Sequence, residues 1–216
     1  MKPSANTNIR TTLPLLPFPA NSSRPTITTQ RLVIHPLRES DLQSLYEIRS
    51  QPDVMRNSPR GTPDTDVSES KRVLGGYLAP KDGETFYFAI YLKSKDDDKM
   101  IGLGGCHRLS SMFGWPVVGY MIRREYWGLG MATEFLTAWL GLWGELERRE
   151  VVIDVDARTL PVPIIPEQIV AWALADNVGS WRVMEKAGFE HLLTWKEADL
   201  RDPNVDAELK SYRYFV

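Results

Sequence analysis

The sequence predicts a single domain of the α/β (α+β) class, on three observations. Short runs of alternating or continuous apolar character, as at residues 31–37 and 86–92, read as strands, whereas Phe135, Leu136, Trp139, Leu140, Leu142, Trp143 and Leu146 recur at helical spacing. Residues 117–136 (VVGYMIRREYWGLGMATEFL) run from an apolar strand through a Gly-x-Gly turn directly into an amphipathic helix. A length of 216 residues suits one core, since single cores commonly reach about 200 to 250 residues before splitting.

The stretch at 117–136 organises the rest. A backbone that turns at Gly128 and Gly130 and starts a helix at once leaves the N–H groups of the first helical turn pointing outward. Together with the positive end of the helix dipole they form an anion site suited to phosphate. A side chain at either glycine would hinder positive φ or hold a phosphate oxygen off the backbone. A second segment follows at residues 175–189 (ADNVGSWRVMEKAGF).

The two segments, in this order, resemble the GNAT superfamily of acyl-CoA-dependent N-acetyltransferases, in particular the branch like the ribosomal-protein N-terminal acetyltransferases RimJ and RimL. The first is similar to the family's pyrophosphate loop (Gln/Arg-x-x-Gly-x-Gly/Ala), with Glu125 in the place of Gln or Arg. The second is similar to its Asn-x-x-Ser...Glu-Lys-x-Gly-Phe helix and strand. The resemblance covers residues 28–216. It implies the GNAT fold: a mixed, mostly antiparallel, strongly curved sheet of about seven strands, flanking helices, and a V-shaped splay between the family's fourth and fifth strands.

Taken in order, residues 1–27 carry Pro3, Pro14, Pro17, Pro19 and Pro25, and no carboxylate precedes Glu39. Proline at that density forbids a regular helix, so this proline-rich tail is expected to be mobile or draped over the surface. The apolar run at 13–18 (LPLLPF) is too broken for a secretory core, and is a candidate for tucking into a groove or a neighbouring subunit. Residues 31–37 read as the first strand. Ser40 with Gln43 three residues on predicts a capping box for a helix bearing Leu42, Leu45, Tyr46 and Ile48 on one side, and Pro52 stops it. A second helix is expected over 67–78. By the resemblance these two helices stand beside the acceptor mouth, which places selectivity in their loops.

Residues 86–92 and 100–109 read as strands flanking a charged tip at 93–99, a solvated hairpin turn whose three adjacent aspartates lack the spacing of a calcium loop. Gly102, Gly104 and Gly105 fall within a strand, which predicts a bulge or close backbone packing. The aromatic stripe at 135–146 is read as core. Residues 149–166 depart from the family pattern: 151–156 suit an extra strand, followed by a loop with Pro161, Pro163 and Pro166. Residues 169–175 (IVAWALA) suit a helix by propensity, and the family pattern assigns them to the fifth strand. A helix over 177–187 should end at Gly188, with closing strands at 189–195 and 211–215.

The totals exclude several functions. With 26 basic and 28 acidic residues there is no positive field for a polyanion, so nucleic acid is not expected as the main partner, and phosphate binding has to be local. The lone Cys106 rules out an intrachain disulfide and fits a reducing compartment, for which cytoplasmic is the expectation. No apolar run approaches the ~20 residues of a membrane helix, so a soluble monomer or homodimer without a membrane partner is expected.

Acetyl transfer from a thioester to an amine needs a grip on the diphosphate, a donor for the thioester carbonyl, a neutral amine, and a proton for the departing thiolate. The resemblance implies acetyl-CoA as cosubstrate, no metal, and an amine acceptor that is a protein N-terminus or a small molecule. It assigns the diphosphate to backbone amides of Trp127, Gly128, Leu129, Gly130, Met131 and Ala132. It leaves Arg123, Arg124 and Lys186 as candidates for outlying phosphate charge, an ordinary surface cation being the plainer reading of each. It has the backbone of Tyr120, Met121 and Ile122 pair with the pantetheine amides as an added strand, one N–H facing the carbonyl oxygen.

Asn177 corresponds to the residue that hydrogen-bonds the pantetheine arm, and it also suits a helix N-cap, since capping uses only the side-chain oxygen. Ser180 falls where this branch places a hydroxyl near the sulfur, a solvated first-turn serine being the alternative. Two departures matter. The tyrosine that often serves as the thiolate's acid is replaced by Met184, and the glutamate often found before the Gly-Tyr of the fourth strand is replaced by Val117. An α-amine, with a pKa of roughly 7.7 to 8.0, depends less on a base than a lysine amine near ~10.4. His107 is the histidine placed to relay a proton, with a packed or solvent-facing ring as the plainer reading. Glu125 would repel phosphate and is expected to turn away.

Two rival readings stand beside this one. Strand, Gly-x-Gly, helix and Asp154 imitate a dinucleotide-binding oxidoreductase, although its third glycine would fall at Thr133. The missing glutamate and tyrosine also suit a catalytically weak or inactive acyl-CoA-binding module on the same fold.

Overall fold

The computed structural model describes residues 6–94, 99–160, 166–199 and 202–216. In chain order the strands are β1 (Asn6–Pro14), β2 (Ile27–Thr28), β3 (Leu32–Pro36), β4 (Phe86–Leu92), β5 (Met100–Arg108), β6 (Val117–Ile122), β7 (Arg148–Asp156), β8 (Gln168–Leu174), β9 (Glu190–Asp199) and β10 (Asp202–Phe215). The helices are α1 (Leu42–Arg49), α2 (Pro52–Met55), α3 (Val67–Leu74), α4 (Met131–Gly144) and α5 (Val178–Lys186). No helix among the described residues is long and apolar enough to cross a membrane.

Eight strands form one sheet in the order β2-β3-β4-β5-β6-β8-β10-β9. Neighbours are antiparallel except β6 and β8, which run parallel and share one pair of partners, Val117 opposite Val170. Beyond that pair the two strands separate, which is the expected splay between the family's fourth and fifth strands. Strand alternation sorts the core by face. Phe86, Phe88, Val118, Ile169 and Ala171 pack with Phe135, Trp139 and Trp143 of α4. On the opposite face Tyr87, Ala89 and Leu103 pack under Leu45 and Ile48 of α1 and Leu74 of α3. The aromatic stripe of α4 is therefore core: Trp139 donates to the Phe86 carbonyl at 3.2 Å and Trp143 to Glu167 at 3.0 Å.

The N-terminal segment is built in rather than lying free. β1 pairs with β7 along its whole length, from Asn6 opposite Asp156 to Pro14 opposite Arg148, as a separate two-stranded ribbon. Ile9 and Val155 of this ribbon pack on Val170 and Trp195 of the main sheet and on Trp115 of the loop that leads into β6. The extra strand expected at 151–156 is thus present, and its partner is the tail. Phe18 is 2% exposed and lies between the rings of Phe86 and Trp143, at 5.4 and 5.8 Å. The run at 13–18 does tuck in, into this chain's own core.

Other details shift. The first helix is not capped by Ser40: a 3-10 turn over Glu39–Asp41 leads into it, and the Asp41 carboxylate closes that turn by accepting from the Arg38 N–H at 2.8 Å. The helix expected over 67–78 ends at Leu74 and starts from Asp66, which accepts from the Ser68 N–H. The close packing expected at the β5 glycines is present. A Cβ on Gly104 would stand 2.5 Å from the Phe135 ring, and one on Gly105 only 2.1 Å from the Phe86 carbonyl oxygen. The aspartate tip and Pro161 and Pro163 lie outside the described residues.

Replacing Phe18 by alanine should cost about 3–5 kcal/mol of unfolding free energy in urea titration, the range for a buried phenylalanine. A loss under about 0.5 kcal/mol would mark the segment as merely draped.

Candidate active site

The chain leaves β6 at Ile122, makes a short 3-10 turn over Arg124–Tyr126, and passes Gly128 (φ +74°) and Gly130 (φ +79°) before α4 begins at Met131. Both glycines occupy the left-handed region that disfavours side chains. Residues 127–130 are all exposed, and a Cβ on Gly128 would meet nothing within 4 Å. The N–H groups of residues 128–133 find no backbone acceptor among the described residues; the first helical bond is from Glu134 to Gly130. Donors without a backbone partner among the described residues and a dipole end thus lie at an exposed turn, an arrangement that fits a diphosphate.

The side chains around the turn differ from expectation. Arg123 is 5% exposed, and its guanidinium donates to the Met100 carbonyl at 2.8 Å and to Glu47 at 2.6 Å. It ties β6 to α1 instead of presenting its charge at the turn; the Arg123 hydrogen bond in turn holds the Glu47 carboxyl below its ordinary range. Arg124 lies 4.9 Å over the Trp127 ring and pairs with Asp53 at 3.4 Å, while the Trp127 indole N–H folds back onto the Ile122 carbonyl. Glu125 turns to Gln51, which donates to it at 2.9 Å. Lys186 is exposed in the last turn of α5, roughly 13 Å along the axis from Asn177.

Sequence reasoning missed a clamp on the first turn of α4. Glu134 accepts from the Thr29 hydroxyl at 2.6 Å, the Arg31 N–H at 2.8 Å and the Arg31 guanidinium at 2.6 Å. Partial burial pushes its carboxyl up, but the Thr29 and Arg31 hydrogen bonds outweigh that and leave it below the ordinary range. The local signal was a carboxylate in the first turn of a helix read as anion-binding, which calls for a counterion; the partner, 103 residues away, was not legible.

At the splay, Asn177 caps α5 by accepting from the Ser180 N–H at 3.2 Å, and its amide N–H groups have no partner among the described residues. Ser180 meets β6 across the gap: the Tyr120 hydroxyl lies 2.9 Å from the Ser180 carbonyl oxygen and 3.0 Å from its Oγ. Burial pushes the Tyr120 phenol well above its ordinary pKa, and the hydrogen bond to Ser180 only partly opposes it. Val117 and Met184 are buried and carry no ionisable group. His107 occupies a bulge between Cys106 and Arg108, its ring 3.3 Å from where a Cβ on Gly119 would stand. Crowding by protein and then the charge of Arg108 pull its pKa down to about 4. The residue itself remains exposed at the surface. On the same sheet face, a cavity of about 140 Å³ lies between Asn57–Pro59 and the strands carrying Trp172, Leu174, Glu197 and Leu209.

The dinucleotide reading fails on topology. Asp154 sits in β7, which pairs with β1 in the ribbon and is not a parallel neighbour of β6; its carboxylate accepts from Asn6 at 2.8 Å. A glycine-turn helix returning to a strand beside β6 is what that fold requires.

An exposed glycine turn opening α4, set against a parallel pair that parts after one register position, is the arrangement expected of the GNAT fold. The chain belongs to the GNAT acetyltransferase family: residues 31–190 match the Acetyltransferase (GNAT) domain. It is 29% identical over 110 residues to the uncharacterized N-acetyltransferase p20 of Bacillus licheniformis, a match spanning 50% of this chain and 60% of that protein. Among solved structures, a GNAT-family acetyltransferase from Bacillus anthracis superposes with a TM-score of 0.65 at 19% identity, covering 88% of this chain and 98% of that one. The spermidine N-acetyltransferase of Vibrio cholerae, solved with CoA and spermine, gives 0.64 at 14% identity, with 87% and 96% coverage. At these identities the structures show a shared fold.

The lowered His107 pKa fixes a sign. Its neutral form is favoured in the folded protein, so as pH falls from 6.5 toward 4 the unfolded chain takes up the proton first and stability declines. The loss of stability between pH 7 and 5 should be smaller in His107→Gln, and the NMR titration midpoint of His107 in the wild type should lie well below 6.5. A midpoint at or above 6.5 would contradict the crowded ring.

Proposed function

We propose that this GNAT protein acetylates a primary amine, a protein N-terminal α-amine or a small amine, by direct attack in a ternary complex, and that it belongs to the RimJ/RimL-like branch. The observation that carries the reading is the set of unpaired amides at 128–133 opening beside the gap that Asn177 and Ser180 border. Bound acetyl-CoA supplies the activated thioester. The chain's amides hold its diphosphate, the 120–122 backbone of β6 aligns the pantetheine, and an N–H there faces the carbonyl oxygen, a contact worth about 3 kcal/mol in comparable sites. Asn177 donates to the pantetheine arm with the amide its cap leaves free. The acceptor approaches from the face bearing His107 and the cavity near Asn57.

The amine nitrogen forms a bond to the acetyl carbon, the carbon–sulfur bond breaks, and the sulfur takes up a proton as the nitrogen sheds one. Ser180 serves the sulfur, and Tyr120 decides how. With the phenol proton on the Ser180 carbonyl, the serine donates back to the phenol oxygen; with it on Oγ, the serine proton is free to face the gap. The second arrangement assists departure. The raised pKa keeps Tyr120 a neutral donor that supports Ser180 and not a proton source itself. His107, neutral above about pH 4, relays a proton without storing it. A neutral fraction of the amine is then required at the outset, which favours an α-amine over a lysine.

The apolar Val117 and Met184 keep a second reading, an acyl-CoA-binding module with little turnover, as the specific rival. Thiol release with a panel of amines, with mass detection of the product, separates the two: release with none of them, despite acetyl-CoA binding, would favour the module. Bulky replacements at Gly128 or Gly130 should raise the KM for acetyl-CoA, and an unchanged value would remove the phosphate-loop role. Ser180→Ala should lower kcat about tenfold or more with little change in KM for acetyl-CoA. Tyr120→Phe should do the same more mildly, and unaltered kinetics in Ser180→Ala would remove this pair from the chemistry.

A further inference from the structure

We infer that Arg31 is a coenzyme-binding residue, neutralising Glu134 at the mouth of the phosphate turn and donating from its free Nη2 to the diphosphate. This rests on the acetyl-CoA reading above and adds a residue that neither the glycine motif nor the Asn177 helix contains.

The geometry is specific. Arg31 divides its guanidinium: Nε donates to Glu134 at 2.6 Å and Nη1 to the Leu129 carbonyl at 2.8 Å, within the turn itself. Nη2 makes no hydrogen bond among the described residues and lies 3.4 Å from where a Cβ on Gly130 would stand, at the lip of the unpaired amides. The side chain is 42% exposed, so this nitrogen is reachable.

The electrostatics require such a residue. Glu134 stands in the first turn of the helix whose amides would hold a dianion, and its low pKa keeps it charged. An unpaired carboxylate there would oppose phosphate binding. Arg31 cancels that charge and, with a planar fork, reaches the turn carbonyl and a phosphate oxygen at once, which a lysine cannot do. The cations nearest in sequence are occupied elsewhere, Arg123 by Glu47 and Arg124 by Asp53.

The test compares acetyl-CoA with S-acetylpantetheine, which has the same thioester and no diphosphate, in the full-length protein with whichever amine the panel identifies. In Arg31→Gln the ratio of kcat/KM for acetyl-CoA to that for S-acetylpantetheine should fall about tenfold or more, the loss expected for one charge-assisted hydrogen bond. Adding Glu134→Gln should recover part of that ratio, because the uncompensated carboxylate is gone. Arg31→Lys, which retains the charge and is the variant to use should Arg31→Gln fold poorly, should lose the ratio to a smaller degree. An unchanged ratio in both Arg31 variants, with both donors weakened equally, would reduce Arg31 to a scaffold clamp and overturn the inference. Absence of acetyl-CoA binding to the wild type by calorimetry would instead sink the underlying reading.

Discussion

The contact on which the rest of the architecture depends is the seating of Phe135 over Gly104. A Cβ there would come within 2.5 Å of the Phe135 ring and 2.8 Å of the Tyr120 Cβ, so both α4 and β6 are placed by the absence of one methyl group. Interiors packed this closely do not absorb such a change locally. Moving Phe135 outward would carry Glu134, and with it the turn at Gly128 and Gly130. Moving Tyr120 would break the bridge to Ser180. One glycine thus fixes the glycine turn before α4 and the Tyr120–Ser180 bridge relative to each other.

The gap has its own cause. A parallel pair needs a crossover, and here α4 and then the outlying strand β7 intervene between β6 and β8. β8 is held on its far side by β10 over seven register positions, from Leu209 opposite Leu174 to Phe215 opposite Gln168. β6 is held on its far side by β5. Each strand is committed to an antiparallel partner, and only Val117 and Val170 meet between them. Side chains fill the seam on both faces near that meeting point, Val170 with Trp115 on one and Val118 with Ile169 on the other. Past it the two strand edges do not pair with each other, and on the proposed function they would take the amides of the pantetheine arm as an added strand.

This explains what could be read from the sequence. Features encoded within a few residues were legible: the glycine turn, the Asn177 cap, the core stripe of α4 and the glycine packing of β5. The strand at 169–175 was legible only through the family pattern, because IVAWALA has no period that separates a buried strand from a helix. Features made by distant partners were not. Nothing in residues 6–14 announces β7 as their partner, and a proline-rich composition argued against order; yet extended residues need only a strand to pair with, and Pro14 sits at the end of the ribbon where a missing N–H matters least. Arg123 looked like a phosphate cation by proximity in sequence, and burial against Glu47 redirected it.

The charge pattern around the turn follows from the same limits. A chain of net charge -2 has no spare positive field. Each ionisable group near the turn is matched, Arg31 to Glu134, Arg123 to Glu47, Arg124 to Asp53, while Glu125 rests on Gln51. Attraction for an anion then falls mainly to backbone donors, which cannot be lost by titration and lie in fixed directions, and the inferred Arg31 contact adds a single side-chain donor whose charge Glu134 already balances. Side-chain cations in their place would draw polyanions indiscriminately, and their force would weaken within a Debye length of about 10 Å at moderate salt. On the proposed function, amides at contact distance would select instead by shape: a diphosphate that fits the turn would engage several at once, and an anion that does not fit would engage few. Selectivity would then be a property of the path of the chain through Gly128 and Gly130, which Gly104 and the Glu134 clamp hold in place.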